Sequence, residues 1–337
     1  MLRIHFTGED LAKTRLVATW GPLAETCFSL MTLQHHNARA MFGGWGQRVH
    51  RESAVLAHPA SALFRDAVLD LFTVTGPAAT LDEGLEALRA ARQGHLQAEI
   101  NGAIESRALY SSCSTPWTGA LWGDPARSRA DRQELVNFLE EYHRVAVAPH
   151  WSLMQSRFHA EQISHARILA EGGVEAMLAG LPPGFRWRSP VLEIGRGPLT
   201  GDIKLTGRGL TLVPSAFCQT RPITYSSATD DQAPLLLFIP LIRTISDAAT
   251  MLTTPDRGSA RALETLLGRT RAHALEAISQ GPCTTSQLAR RLSTSLSTAS
   301  EHATVLREAK LITTTRHGSA VIHTLTAVGA SLLNGIP

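Results

Sequence analysis

Between Leu296 and Glu308 the chain reads LSTASEHATVLRE, and six of these side chains are short, polar and able to hydrogen-bond: Ser297, Thr298, Ser300, Glu301, His302 and Thr304. Their chemistry is recognition. Hydroxyl, carboxylate and imidazole groups on short stems meet the donors and acceptors of base edges when a helix carries them into the major groove of DNA. Around them stand Arg290, Arg291, Arg307, Arg316 and His317, which suit phosphate oxygens. Glu301 repels phosphate but accepts from a cytosine amino group.

A second group invites metal chemistry: His143, His150, His159, Glu161 and His165. Glu161 and His165 share a helix face at i, i+4 and offer two ligands, whereas His159 and His165 point apart. Two ligands do not hold an ion, so no metal is expected and these read as surface histidines on long helices. The adjacent His35 and His36 diverge on any helix. For catalysis the chain offers no Gly-rich phosphate loop, no G-x-S-x-G and no H-E-x-x-H. The glycines of EIGRGPLTG fall between strands with no helix after them. Asp230-Asp231 and Glu140-Glu141 are adjacent, exposed acids. Neither an enzyme nor a cofactor is expected.

The elements that position the base-facing set follow from spacing. Thr284 and Gln287 have the T-x-x-Q spacing of a capping box and open a helix whose inward residues are Leu288, Ala289 and Leu292. Ala289 is small enough to let a second helix cross closely. STSL makes the turn, with Ser295 as N-cap, and Leu296, Ala299, Ala303 and Leu306 fall on one face of the second helix. LITTTRHGSAVIHTL then supplies two strands about an Arg316-His317-Gly318-Ser319 turn. One or two helices, ARALETLLGRTRAHALEAISQG, come before and close on Gly281-Pro282. Helix, helix-turn-helix and hairpin in that order make a winged helix.

The stretches TTSQLARRLSTSLSTASEHATVLREAKLI and TTTRHGSAVIHTLTAVG resemble the winged-helix regulators of the ArsR type. The front part, from LRIHFTGEDLAKTR through ILAEGGVEAMLAGL and VLEI, is similar to the N-terminal domain of a group of actinobacterial members. The resemblance implies a homodimer paired through the segment around Ala262 to Leu267 and the terminal AVGASLL. It also implies double-stranded DNA as partner and repression as the mode of action. Three departures stand out. Glu301 replaces a basic or neutral residue, Ser319 replaces a frequent wing arginine, and the paired-cysteine metal site is missing because Cys283 stands alone.

The remaining sequence gives the frame. The chain has 337 residues, 44% of them hydrophobic and 18% charged, which suits two globular domains, expected over 1–250 and 256–337. From Asp256 onward nine basic residues stand against five acidic ones, while the rest carries 23 against 24, so the excess positive charge of the chain sits in its last quarter. The N-terminal domain is expected to be α+β. Helices such as EDLAKTRLVATW, capped by Thr7 with Asp10, cover a small antiparallel sheet built from MLRIHF and the β-rich runs between Gly184 and Ile242. TISDAATMLTTPDRGSA reads as a hinge.

Four scattered cysteines (Cys27, Cys113, Cys218, Cys283), no signal-type h-region and no long apolar stretch point to the cytoplasm and away from a membrane. Trp117, Trp122, Phe185, Trp187 and Tyr225 cluster near helix-to-sheet transitions, where a pocket for a small apolar ligand is expected. The function expected is a sequence-specific DNA-binding transcriptional regulator. The alternative is an interaction scaffold whose winged helix binds a protein, a reading kept alive by Glu301 and the missing wing arginine.

Overall fold

The structure is a computed structural model and describes residues 1–34, 39–64, 69, 71–110, 123–195, 200–218, 223–225, 227, 230–252, 263–279, 281–317 and 320–333. The chain separates into two compact units, Met1–Val147 with Phe158–Ala249, and Ala148–Arg157 with Thr250–Pro337. His35, His36, Cys113, Trp117, Trp122, Ala262, Ser319, the glycine run 196–199 and the second half of the expected hinge lie outside the described residues.

The first unit begins with β1 (Leu2–His5), α1 (Gly8–Lys13) and β2 (Arg15–Leu16), followed by α2 (Pro22–Gln34) and α3 (Arg39–Glu52). Next come α4 (Leu71–Thr75), α5 (Leu81–Ala90), α6 (Gln93–Tyr110) and α7 (Arg129–Ala146). The long α8 (Trp151–Ala179) is broken at Gly173, whose φ of 73° no helix contains. The strands β3 (Phe185–Arg188), β4 (Val191–Ile194), β5 (Gly201–Lys204), β6 (Leu210–Ser215), β7 (Ile223–Tyr225) and β8 (Leu235–Pro240) precede α9 (Ile245–Leu252). The expected hinge therefore starts as a helix.

The α+β class holds, but the pairing differs from the single antiparallel sheet expected. Among the described residues of this unit, two four-stranded mixed sheets form, in the orders β3-β4-β1-β5 and β2-β6-β8-β7. β1 runs parallel to β5, β2 to β6, and β6 to β8, while β3-β4, β4-β1 and β7-β8 are antiparallel. The cause is the helical insertion between β2 and β3. It parts β1 and β2 from the later strands along the chain, so both pair with strands distant in sequence.

β6 and β8 are buried along their whole length, which explains why LLLFIP reads as an unbroken apolar run. Leu210, Leu212, Leu235, Leu237 and Ile239 share a core with Leu2, Ile4, Leu192 and Ile194 of the other sheet and with Met177 and Leu178 at the end of α8. Phe238 alternates with these and packs among Phe28, Phe72 and Tyr225 at ring-centroid distances of 4.7, 5.2 and 5.6 Å. Trp187 packs edge-on against Phe6 at 5.2 Å, and Phe185 leans on the same core. Tyr225 is a core residue, and Phe185 and Trp187 are half-buried against the core.

Asp10 shows how a local cap becomes a tertiary joint. Its carboxylate accepts from the Thr7 amide at 2.8 Å to complete the capping box of α1, and from the amides of Gly207 and Gly209 at 2.9 Å each. Burial alone would raise this carboxyl, but the hydrogen bonds from Thr7, Gly209 and Gly207 outweigh it and hold it below the usual range. Gly209 must be glycine, because at φ 81° a Cβ would also sit 2.7 Å from the Cβ of Lys13.

The second unit contains α10 (Arg269–Ser279), β9 (Cys283–Thr284), α11 (Thr285–Arg291), α12 (Leu296–Glu308), β10 (Ile312–His317), β11 (Ala320–Leu325) and α13 (Ala327–Leu333). Ala274, Leu275 and Ile278, Leu288 and Ala289, and Ala299, Ala303 and Leu306 bring the three main helices onto one core. The wing is a three-stranded sheet, β10-β11-β9, with Cys283 and Thr284 pairing His323 and Ile322. The first turns of α8 belong to this unit as well. The Gln155 amide bridges to the Ser279 carbonyl and to Trp151 Nε1, each at 3.2 Å, and Met154 is fully buried.

Candidate nucleic-acid interface

The turn between α11 and α12 is set by backbone hydrogen bonds. Thr284 and Gln287 form the expected capping box of α11. At its other end the amides of Ser293 and Thr294 return to the carbonyls of Arg290 (3.1 Å) and Ala289 (3.0 Å), a Schellman closure with Ser293 at φ 51°. The same closure ends α12, with Lys310 at φ 58° and the Leu311 amide 2.9 Å from the Leu306 carbonyl. Glycine normally occupies both positions. Ser293→Gly is therefore expected to stabilise the unit by about 1 kcal/mol. Slower amide hydrogen exchange at Thr294 and Ala299 in the full chain would show it, and unchanged or faster exchange would refute it.

Ser295 caps α12, its Oγ accepting from the Thr298 amide at 3.1 Å. That oxygen also lies 2.8 Å from Ser297 Oγ and 2.8 Å from Thr298 Oγ1. Two of the six base-facing candidates are thus engaged in a hydroxyl cluster at the cap. Ser300 and Glu301 are exposed, and His302 and Thr304 are half-buried on the flanks of the outward face. Ala299, Ala303 and Leu306 point inward as expected. Leu296 does not. It is 56% exposed. Val305 and Glu308 are also exposed on this helix and were not in the expected set.

The cations divide into two kinds. Arg290, Arg307 and Arg316 are exposed. Arg291 is exposed as well, yet it donates to the Ala277 carbonyl at 2.6 Å, closing the end of α10. His317 ends β10 beside the wing tip. His323, which spacing did not single out, is nearly buried between Thr285 Oγ1 (3.0 Å from Nε2) and Thr314 Oγ1 (3.1 Å from Nδ1). Burial, aided by the positive charge of Arg307, lowers its pKa. A neutral imidazole has one donor and one acceptor, and the two hydroxyls satisfy both. His323 so ties the wing to the start of α11.

These observations bear on metal chemistry too. Among the described residues no group of three or more His, Cys, Asp or Glu side chains gathers. His143, His150 and His165 are buried rather than on the surface as expected. His143 meets Thr26 Oγ1 at 2.8 Å, and burial holds it down at about 4. Glu161 is ion-paired with Arg243, and His159 is exposed. Cys283 is buried, which pushes its thiol up and disfavours a thiolate. No described helix is long and apolar enough to cross a membrane.

Residues 268–314, from the residue before α10 into the first wing strand, match the family model of the bacterial regulatory protein, arsR family. The second unit carries an ArsR-family regulatory domain. Domains of this type belong to DNA-binding transcription regulators, and α12 lies inside the matched residues. No curated protein and no solved structure matches the chain. The match leaves the first unit unassigned.

Proposed function

We propose that the protein is a cytoplasmic, homodimeric repressor that reads adjacent half-sites of its operator with α12 in successive major grooves. The observation that carries this is the exposed, polar face of α12, opposite Ala299, Ala303 and Leu306, inside an ArsR-family domain. Exposed Leu266 and Val328, on the segments flanking the winged helix, supply apolar surface for pairing. Ser300 and Glu301 with flanking His302 and Thr304 read bases, Ser297 and Thr298 do so from the cap, and Arg290, Arg307, Arg316 and His317 contact phosphate. Arg291 adds to the phosphate set only through donors its helix-closing bond leaves over. The first unit serves as the input, taking a small apolar ligand or assembling with other molecules. It carries no chemistry of its own in this reading.

The test is an anisotropy titration of the full chain against DNA from upstream of its own gene and against random DNA, at two salt concentrations. Specific binding that weakens steeply with salt is expected, and Arg290→Ala and Arg316→Ala should each reduce the salt slope by about one. Ser300→Ala with Glu301→Ala should relax specificity by about 1–3 kcal/mol per lost base contact. The second reading, a winged helix that binds a protein, is favoured by Glu301 and Glu308, two exposed acids on α12. It predicts no preference for any DNA at either salt concentration.

A further inference from the structure

Leu296 is the unexpected residue of the reader. It is the first residue of α12, and a recognition helix contacts bases chiefly through its N-terminal residues. More than half of it is exposed, although its spacing from Ala299 assigns it to the core. An isolated exposed leucine is ordinary on a protein surface. Two observations set this one apart. The hydroxyls of Ser297 and Thr298 beside it are each bonded to Ser295 Oγ, so part of the hydrogen-bonding capacity at this tip is taken up within the cap. Ser300, one turn on and on the same strip of helix surface, is exposed beside it. The tip therefore presents an apolar branched side chain next to Ser300, whose hydroxyl lies outside the cap cluster. In the major groove one base carries an apolar group at the edge, thymine, through its C5 methyl.

Resting on the DNA-binding reading above, we infer that Leu296 is a specificity-determining residue that packs against the methyl group of one thymine in each half-site. The full chain would be used to select its preferred duplex from a random pool. Each thymine of that duplex is then replaced singly by deoxyuridine, which removes only the methyl. At one position per half-site, wild type should lose about fourfold in affinity, the worth of one buried methyl-sized group. Leu296→Ala should bind the thymine duplex about as weakly as wild type binds the uracil duplex, and should lose nothing further on uracil. Leu296→Met should restore the methyl dependence. Because Leu296 is exposed, matching thermal melts of wild type and Leu296→Ala are the folding control. Two outcomes overturn the inference: no thymine whose methyl matters, or a methyl effect that persists in Leu296→Ala. If the pool yields no preferred duplex at all, the DNA-binding reading falls first and this inference with it.

Discussion

Glu25→Gln should stabilise the first unit by about 3 kcal/mol above pH 7 and by almost nothing below pH 4.5. Glu25 lies on α2 and is 1% exposed, accepting from the amides of Ala216 (3.1 Å) and Phe217 (3.3 Å). Burial pushes its carboxyl up to about 7, against the pull of hydrogen bonds from Ser215, Phe217 and Ala216. The unfolded chain ionises it near 4.5. A folded-state pKa above the unfolded one means full stability below pH 4.5 and a progressive loss as pH rises to 7. His143 runs the other way, since its imidazole is held at about 4 and stability falls as pH drops from 6.5 toward that value. The two slopes offset each other in the wild type. The difference between wild type and variant isolates Glu25. Paired denaturant melts from pH 4.5 to 8 should show that gap opening with pH, and a constant gap would mean that Glu25 does not titrate near neutrality.

Phe238→Ala should cost about 3–5 kcal/mol, the largest loss we expect from one side chain. Phe238 is fully buried on β8 and joins α2 through Phe28, α4 through Phe72 and β7 through Tyr225. Truncation leaves a void bounded by rings on rigid elements, which cannot collapse to fill it. Phe238→Leu keeps most of the volume and should cost less than about 1.5 kcal/mol. Equal midpoints for Ala and Leu in urea would show that the site relaxes freely and that the ring cluster is not rigid.

What was legible in the sequence was local. The capping boxes of Thr7 and Thr284 and the N-cap Ser295 are hydrogen bonds between residues three apart, so their spacing is written in the chain. The inward row Ala299, Ala303 and Leu306 follows from helical period alone. Leu296 fails the same rule because period counts faces without saying whether a neighbour lies beneath the first turn. The left-handed Ser293 and Lys310 carried no signal, since glycine is the residue that announces such a conformation. Arg291 could be recognised as a cation but not as the group that reaches the Ala277 carbonyl fourteen residues earlier. The parallel pairing of β1 with β5 joins residues about two hundred positions apart, and β9 is two residues long, too short to show a pattern.

The ten residues Ala148–Arg157 belong to the same compact unit as the ArsR-type domain, yet they leave the ribosome long before it. At roughly 5–20 residues per second, several seconds or more pass before their partners from Thr250 onward are made. The second unit is thus completed with a piece made earlier than the rest of it. A chain cut short between α8 and α10 holds that piece but none of the winged helix. A fragment beginning at Thr250 holds most of the reader but lacks Trp151, Met154 and Gln155. A complete second unit is in this way tied to a chain that also carries the first turns of α8.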